Sequence, residues 1–172
     1  VEVFAWIEQT PVGLWVREAP TIWAFPFVLL LHTIGLGIVA GTAVVLNAYA
    51  YRHPEQWAAH RLEPYFRFAW AGFAVNLVSG LLLLAAYPAK ALTDPVFYLK
   101  IGCVIVAMAQ LEWLRARTGT QHREASGGSA TAARSLRSSA IVAFVFWTAA
   151  VVAGRLLAYT YRYLMAADMA TF

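Results

Sequence analysis

Charge is what this sequence has least of. Asp, Glu, Lys and Arg make up 13% of its 172 residues, about half of the roughly 25% usual in a soluble domain. Cysteine is almost missing too. Cys103 stands alone, so no intrachain disulfide can form and the redox compartment is not legible. Histidine is sparse, and of His32, His53, His60 and His122 only His32 falls in a long apolar run. There is no zinc-ligand spacing, phosphate loop, nucleophile–base arrangement or carboxylate pair at depth. These absences argue against a hydrolytic or transferase enzyme.

What is abundant is apolar: 61% of residues are hydrophobic. They gather in blocks rather than in the stripes of amphipathic soluble helices. At about 20 residues per crossing, the length accommodates four spans with short connections. The expected fold is an all-α, integral membrane four-helix bundle in a single domain over 1–172, with spans at about 22–49, 64–87, 95–114 and 138–163. Pro20 and Pro26 lie near the start of the first span. Thr93-Asp94-Pro95 supplies an N-cap and a first-turn proline to the third.

The net charge of +4 would suggest nucleic acid in a soluble chain. Here the arginines flank spans, so topology explains them and no nucleic-acid partner is expected. Arg52, Arg61, Arg67, Arg115, Arg117, Arg123, Arg134 and Arg137 fall on one side, against Arg17, Lys90 and Arg162 on the other. The richer side is cytoplasmic by the positive-inside bias. Both termini then face the periplasm of a bacterial inner membrane.

Residues 1–20 alternate apolar and charged positions and are too short and polar to cross. They read as a short interfacial amphipathic segment with Trp6 and Trp15 at headgroup level. A lid or a docking surface is the alternative. The third connection, TGTQHREASGGSATAARS, reads as a flexible polar loop with His122 solvated in it.

Polar groups inside spans need a partner or a purpose. His32 and Asn76 are placed near the midplane, and Lys100 and Arg155 in the outer third, with Arg155 expected to face the bundle. Glu112 and Arg115 form an i,i+3 pair at the cytoplasmic end. Lys100, Cys103, Ala107 and Gln110 share one helix face, as do Gly72, Asn76 and Gly80 on the second span. Thr33, Gly37 and Gly41 make a small-residue stripe for close packing.

Three readings of His32 stand. It is a structural histidine bonded to Asn76, a backbone carbonyl or Gln110. It is an axial ligand of a b-type haem, with Gly35 admitting the macrocycle, Lys100 and Arg155 serving the propionates, and Met108 or a partner chain as second ligand. Or it pairs with Cys103 or Met108 as a ligand of a soft metal, Cu(I), with a proton relay or a quinone site as the remaining uses.

The segments FPFVLLLHTIGLGIVAG, AWAGFAVNLVSGLLL and DPVFYLK together resemble an uncharacterised family of small bacterial four-helix membrane proteins, over about Trp23 to Lys100. The first of them also resembles the membrane domains of copper-resistance D-type proteins and b-type cytochromes. Ser79 stands where that family has Thr, and Asp94 where it has Asn. The resemblance implies that His32 and Lys100 occupy recognisable positions and favours a redox or metal role. The function expected is an inner-membrane subunit of a homo- or hetero-oligomer, contacting haem or quinone near His32. A cofactor-free anchoring subunit and a small oligomeric transporter are the alternatives.

Overall fold

The computed structural model describes residues 7–53, 59–117 and 129–169. Among them the chain is helical, without strands: α1 (Pro11–Glu18), α2 (Phe25–Arg52), α3 (Ala59–Ala86), α4 (Pro88–Leu92), α5 (Pro95–Ala116) and α6 (Ser129–Met169). α2, α3, α5 and α6 are each long and apolar enough to cross a membrane. They match the four expected spans, and the chain is a multi-pass membrane protein.

The helix ends follow local chemistry. Asp94 caps α5 by accepting from the Val96 N–H at 2.8 Å, with Pro95 at the first helical position. Proline also opens α2, and Thr10 caps α1 by accepting from the Gly13 N–H at 3.2 Å. Some boundaries shift by a few residues, α2 starting at Phe25 and not at 22 and α3 at Ala59 and not at 64, and two others change the reading of a segment. Pro88 does not simply end the second span but starts α4. α6 begins at Ser129, well before the expected 138. The alanine-rich stretch Ser129–Arg134 has enough helix propensity to extend the span, so the end of the presumed loop is helical. His122 and Trp6 lie outside the described residues.

Lipid-facing and buried surfaces are both apolar here, so packing is decided by side-chain size. The interior is lined by alanines, among them Ala43, Ala50, Ala69, Ala107, Ala143 and Ala150, all buried. Small residues let membrane helices approach where no hydrophobic force draws them together. Larger side chains fill the remaining gaps: Phe66, Leu111, Leu114 and Trp147 are buried with them.

α2 packs along α3, α5 packs along α6, and α2 joins the two hairpins through α6, whereas α3 and α5 touch only sparingly. The α2–α3 contact is very close. A Cβ at Gly35 would lie 2.6 Å from the Asn76 nitrogen and 2.9 Å from the Gly72 oxygen. The stripe expected to make such a contact, Thr33–Gly37–Gly41, is not the one that does. Gly37 and Gly41 face open space, and Thr33 is exposed. Gly35, Val39, Ala43 and Leu46 turn inward instead.

α1 docks on the ends of α2 and α3 opposite the arginine-rich connections. Val16 is buried with Val28 and Ala86, and a Cβ at Gly13 would lie 2.8 Å from the Ala85 oxygen. Trp15 is exposed.

At the arginine-rich end, Arg115 ion-pairs with Glu63 of α3 as well as with Glu112, and the Trp70 indole donates to Glu112. The Glu112–Arg115 pair matches expectation, while the interhelical arm to Glu63 is additional. Both partners of that arm are over a third exposed. Glu63→Gln is therefore expected to cost at most about 1 kcal/mol, a loss that shrinks in high salt. Unfolding at low and high sodium chloride measures it.

Candidate functional site around His32 and Lys100

His32 lies seven residues past the start of α2, about 10 Å along its axis. Its Nδ1 is 3.0 Å from the Asn76 carbonyl oxygen and 3.3 Å from Ser79 Oγ. A carbonyl only accepts, so Nδ1 carries the proton. Ser79 spends its own proton on the Val75 carbonyl at 2.6 Å, in the i−4 pattern of helical serines, which leaves Oγ as a second acceptor for Nδ1–H. Asn76 closes the arrangement by donating Nδ2–H to the His32 carbonyl at 2.7 Å. Side chain and backbone of His32 are thus both tied to one turn of α3.

With Nδ1 protonated, Nε2 of the neutral ring is an acceptor. Lys100 of α5 is the donor to it, its Nζ 3.4 Å from Nε2. The lysine stem runs beside Gly154 of α6, where a Cβ would be 3.6 Å from Lys100 Cε. Gly80 of α3 stands at the other side of the ring. A Cβ there would meet His32 Cε1 at 3.1 Å and Nδ1 at 3.4 Å, and nothing else within 4 Å. His32 and Lys100 are both half-buried, and among the described residues no carboxylate pairs with the lysine.

Comparison with known protein families, curated proteins and solved structures finds no match.

The expected site residues divide. His32, Asn76 and Lys100 come together. His32 sits at the level of Lys100 rather than deeper than it, because α2 starts at Phe25 and not at 22. Lys100 turns inward instead of reaching toward the nearer helix end.

Gly35 is not beside an open face. Its missing Cβ is used up by the α3 backbone, so it admits a helix and not a macrocycle. Arg155 does not face the bundle but is exposed. Trp147, Ala150, Ala153 and Gly154 form the inward stripe of α6, and Arg155 lies one residue, about 100°, past Gly154. Met108 is buried, but it lies eight residues, about 12 Å, along α5 from Lys100, too far to face His32 across one iron. Gln110 does not reach His32 either.

Gln110 belongs to a second cluster. Its Nε2 donates to Asn47 Oδ1 at 2.8 Å and to Ser139 Oγ at 2.7 Å, and Asn47 returns a longer bond to Gln110 Oε1. Asn47 and Ser139 went unnoticed in the sequence. The signal was there for Asn47, which follows His32 by 15 residues, close to four turns, and so shares its face. Nothing in the sequence marks Ser139 among the serines around it. Largely buried, this cluster is an interhelical clasp that ties α2, α5 and α6. Gln110→Leu leaves Asn47 Oδ1 without its donor, while Asn47 Nδ2 keeps the Ala43 carbonyl at 2.8 Å, and is expected to cost about 1–2 kcal/mol, read from thermal unfolding in detergent.

Among the described residues no three His, Cys, Asp or Glu side chains gather into a metal-binding group. The orientation of His32 does suit a metal-ligating imidazole, with Nδ1–H fixed on a carbonyl and Nε2 left to bind. Gly35 is closed by the α3 backbone and Lys100 occupies the approach to Nε2. The arrangement presents hydrogen-bond donors and a positive charge to a visitor.

Proposed function

We propose that the protein is a multi-pass subunit of a bacterial inner-membrane assembly, homo- or hetero-oligomeric, whose His32–Lys100 pair contacts the headgroup of a membrane quinone. The observation that supports this reading is the Lys100 ammonium on the lone pair of an imidazole whose other nitrogen is fixed by Asn76. An ammonium has three donors, and His32 takes one. The remaining donors and the unpaired charge suit a carbonyl oxygen, and suit it better as that oxygen gains electron density. The bare Nε2 of His32 stands next in line to take a proton from the lysine. A polar pair at membrane depth is costly, which makes a functional role the default reading.

The test is equilibrium binding of decylubiquinone to protein in nanodiscs. His32→Leu and Lys100→Met are each expected to weaken it about tenfold or more, about 1.4 kcal/mol, while Arg155→Met leaves it unchanged. Wild-type affinity retained in both pair variants refutes the reading. The absorption spectrum of the purified protein, oxidised and reduced, addresses the haem alternative that the Nδ1 orientation favours. A Soret band lost in His32→Ala would replace quinone contact with axial ligation.

A further inference from the structure

We infer that the His32–Lys100 site is entered sideways from the lipid, through a window between α3 and α5, and that the window takes a quinone headgroup on its lipid-borne tail. The occupant rests on the reading proposed above, and the window does not.

Glu63, Trp70 and Leu77 recur at i, i+7 and i+14 on α3, and so form one stripe along the helix. The first two bond to α5, at Arg115 and Glu112, so the stripe faces that helix. On α5, Ile105 and Ile101 continue the stripe of Glu112 at i−7 and i−11.

Among the described residues, the hydrogen bonds and ion pairs between the two stripes lie at the arginine-rich end. Farther along, the residues of both stripes are exposed. Leu77 is 48% exposed, Ile101 41% and Ile105 62%, although α3 and α5 are neighbours. Gly80, three residues beyond Leu77, offers no side chain between this seam and the His32 ring edge. The opening is therefore apolar at its mouth and carries imidazole and ammonium at its floor. A floor with an unpaired cation suits the carbonyl oxygens of a headgroup, and the apolar mouth suits an isoprenoid chain. A water-borne anion would have to cross hydrocarbon to arrive by this route.

The experiment follows ethoxyformylation of His32 by diethyl pyrocarbonate, a small reagent that partitions into membranes, on protein in nanodiscs, read by peptide mass spectrometry. Exposed His53 is the internal reference. Leu77→Trp plugs the mouth, Val78→Trp adds the same bulk on the adjoining exposed face, and Leu77→Ala widens the opening. The expected result is several-fold slower modification of His32 in L77W, a rate near wild type in V78W, and an unchanged or faster rate in L77A. Equal rates in L77W and V78W would overturn the window. Should L77W not fold, Ile101→Trp plugs the same mouth from α5 and carries the same expectation.

Decylubiquinone is expected to protect His32 in the wild type, with decanol giving no protection. Loss of protection with the plug pattern intact would sink the quinone occupant and leave the lateral route standing. Protection with no plug pattern would do the reverse.

Discussion

Gly35→Ala is expected to be the most damaging small substitution in the chain, costing about 3 kcal/mol or preventing α2 and α3 from packing. The reason is what the new methyl would meet. Its three nearest atoms, at 2.6, 2.9 and 3.0 Å, are all backbone of α3: the nitrogen and Cα of Asn76 and the oxygen of Gly72. A flexible side chain could turn away, but a helix backbone moves only as a body. Separation of α2 from α3 also stretches the His32–Asn76 bonds, so site and scaffold fail together. Gly37→Ala is the control. Nothing lies within 4 Å of that position, and alanine is the better helix former by up to about 1 kcal/mol. The two substitutions, identical in chemistry and two residues apart, are expected to differ in sign. Thermal unfolding of both in the same detergent decides it, and equal melting temperatures would mean that α2 is rotated from the position described.

Lys100→Met is expected to do the opposite, raising stability by about 1 kcal/mol while weakening quinone binding about tenfold or more. A lysine deep in a span costs about 2.5–3.5 kcal/mol on insertion scales, less where it is partly solvated. Against this stands its hydrogen bond to His32, and such interhelical bonds average about 0.6 kcal/mol in membranes. Methionine keeps the length of the stem that packs beside Gly154 and removes the charge. A variant that is more stable and binds more weakly separates function from scaffold, since a structural lysine would be missed by the fold. A melting temperature that falls instead would assign Lys100 to assembly and take the central support from the proposed site.

These predictions turn on contacts of very different legibility. The four spans were readable because their signal is mass composition: too little charge and too many apolar residues in long blocks for anything but lipid. The Asp94–Pro95 start of α5 was readable because capping is local chemistry. So was the shared face of Lys100, Cys103, Ala107 and Gln110, which follows from helical spacing, and the structure places the last three in the interior and the lysine half inside. Asn76 was picked out as a partner of His32 because few other polar groups were available at that depth.

Which face of α2 turns inward was not readable. Gly35, Gly37 and Gly41 are alike in a sequence, and in a membrane the outward face is as apolar as the inward one, so periodicity does not separate them. The same ambiguity put Arg155 inside the bundle, whereas the Trp147–Ala150–Gly154 stripe carries it outside.

By itself, then, the sequence determined that the chain is helical, crosses a membrane, and bears a few polar groups it must satisfy there. Those are properties of composition and of near neighbours along the chain. Only the tertiary structure decided that His32 meets Lys100, 68 residues away, that Asn76 and Ser79 fix its tautomer, that Gly35 is consumed by helix packing, and that α3 and α5 leave a seam. Such pairings depend on the rotation and register of one helix against another. In a bilayer these are set by the fit of small side chains, a property of two surfaces together that neither segment carries alone.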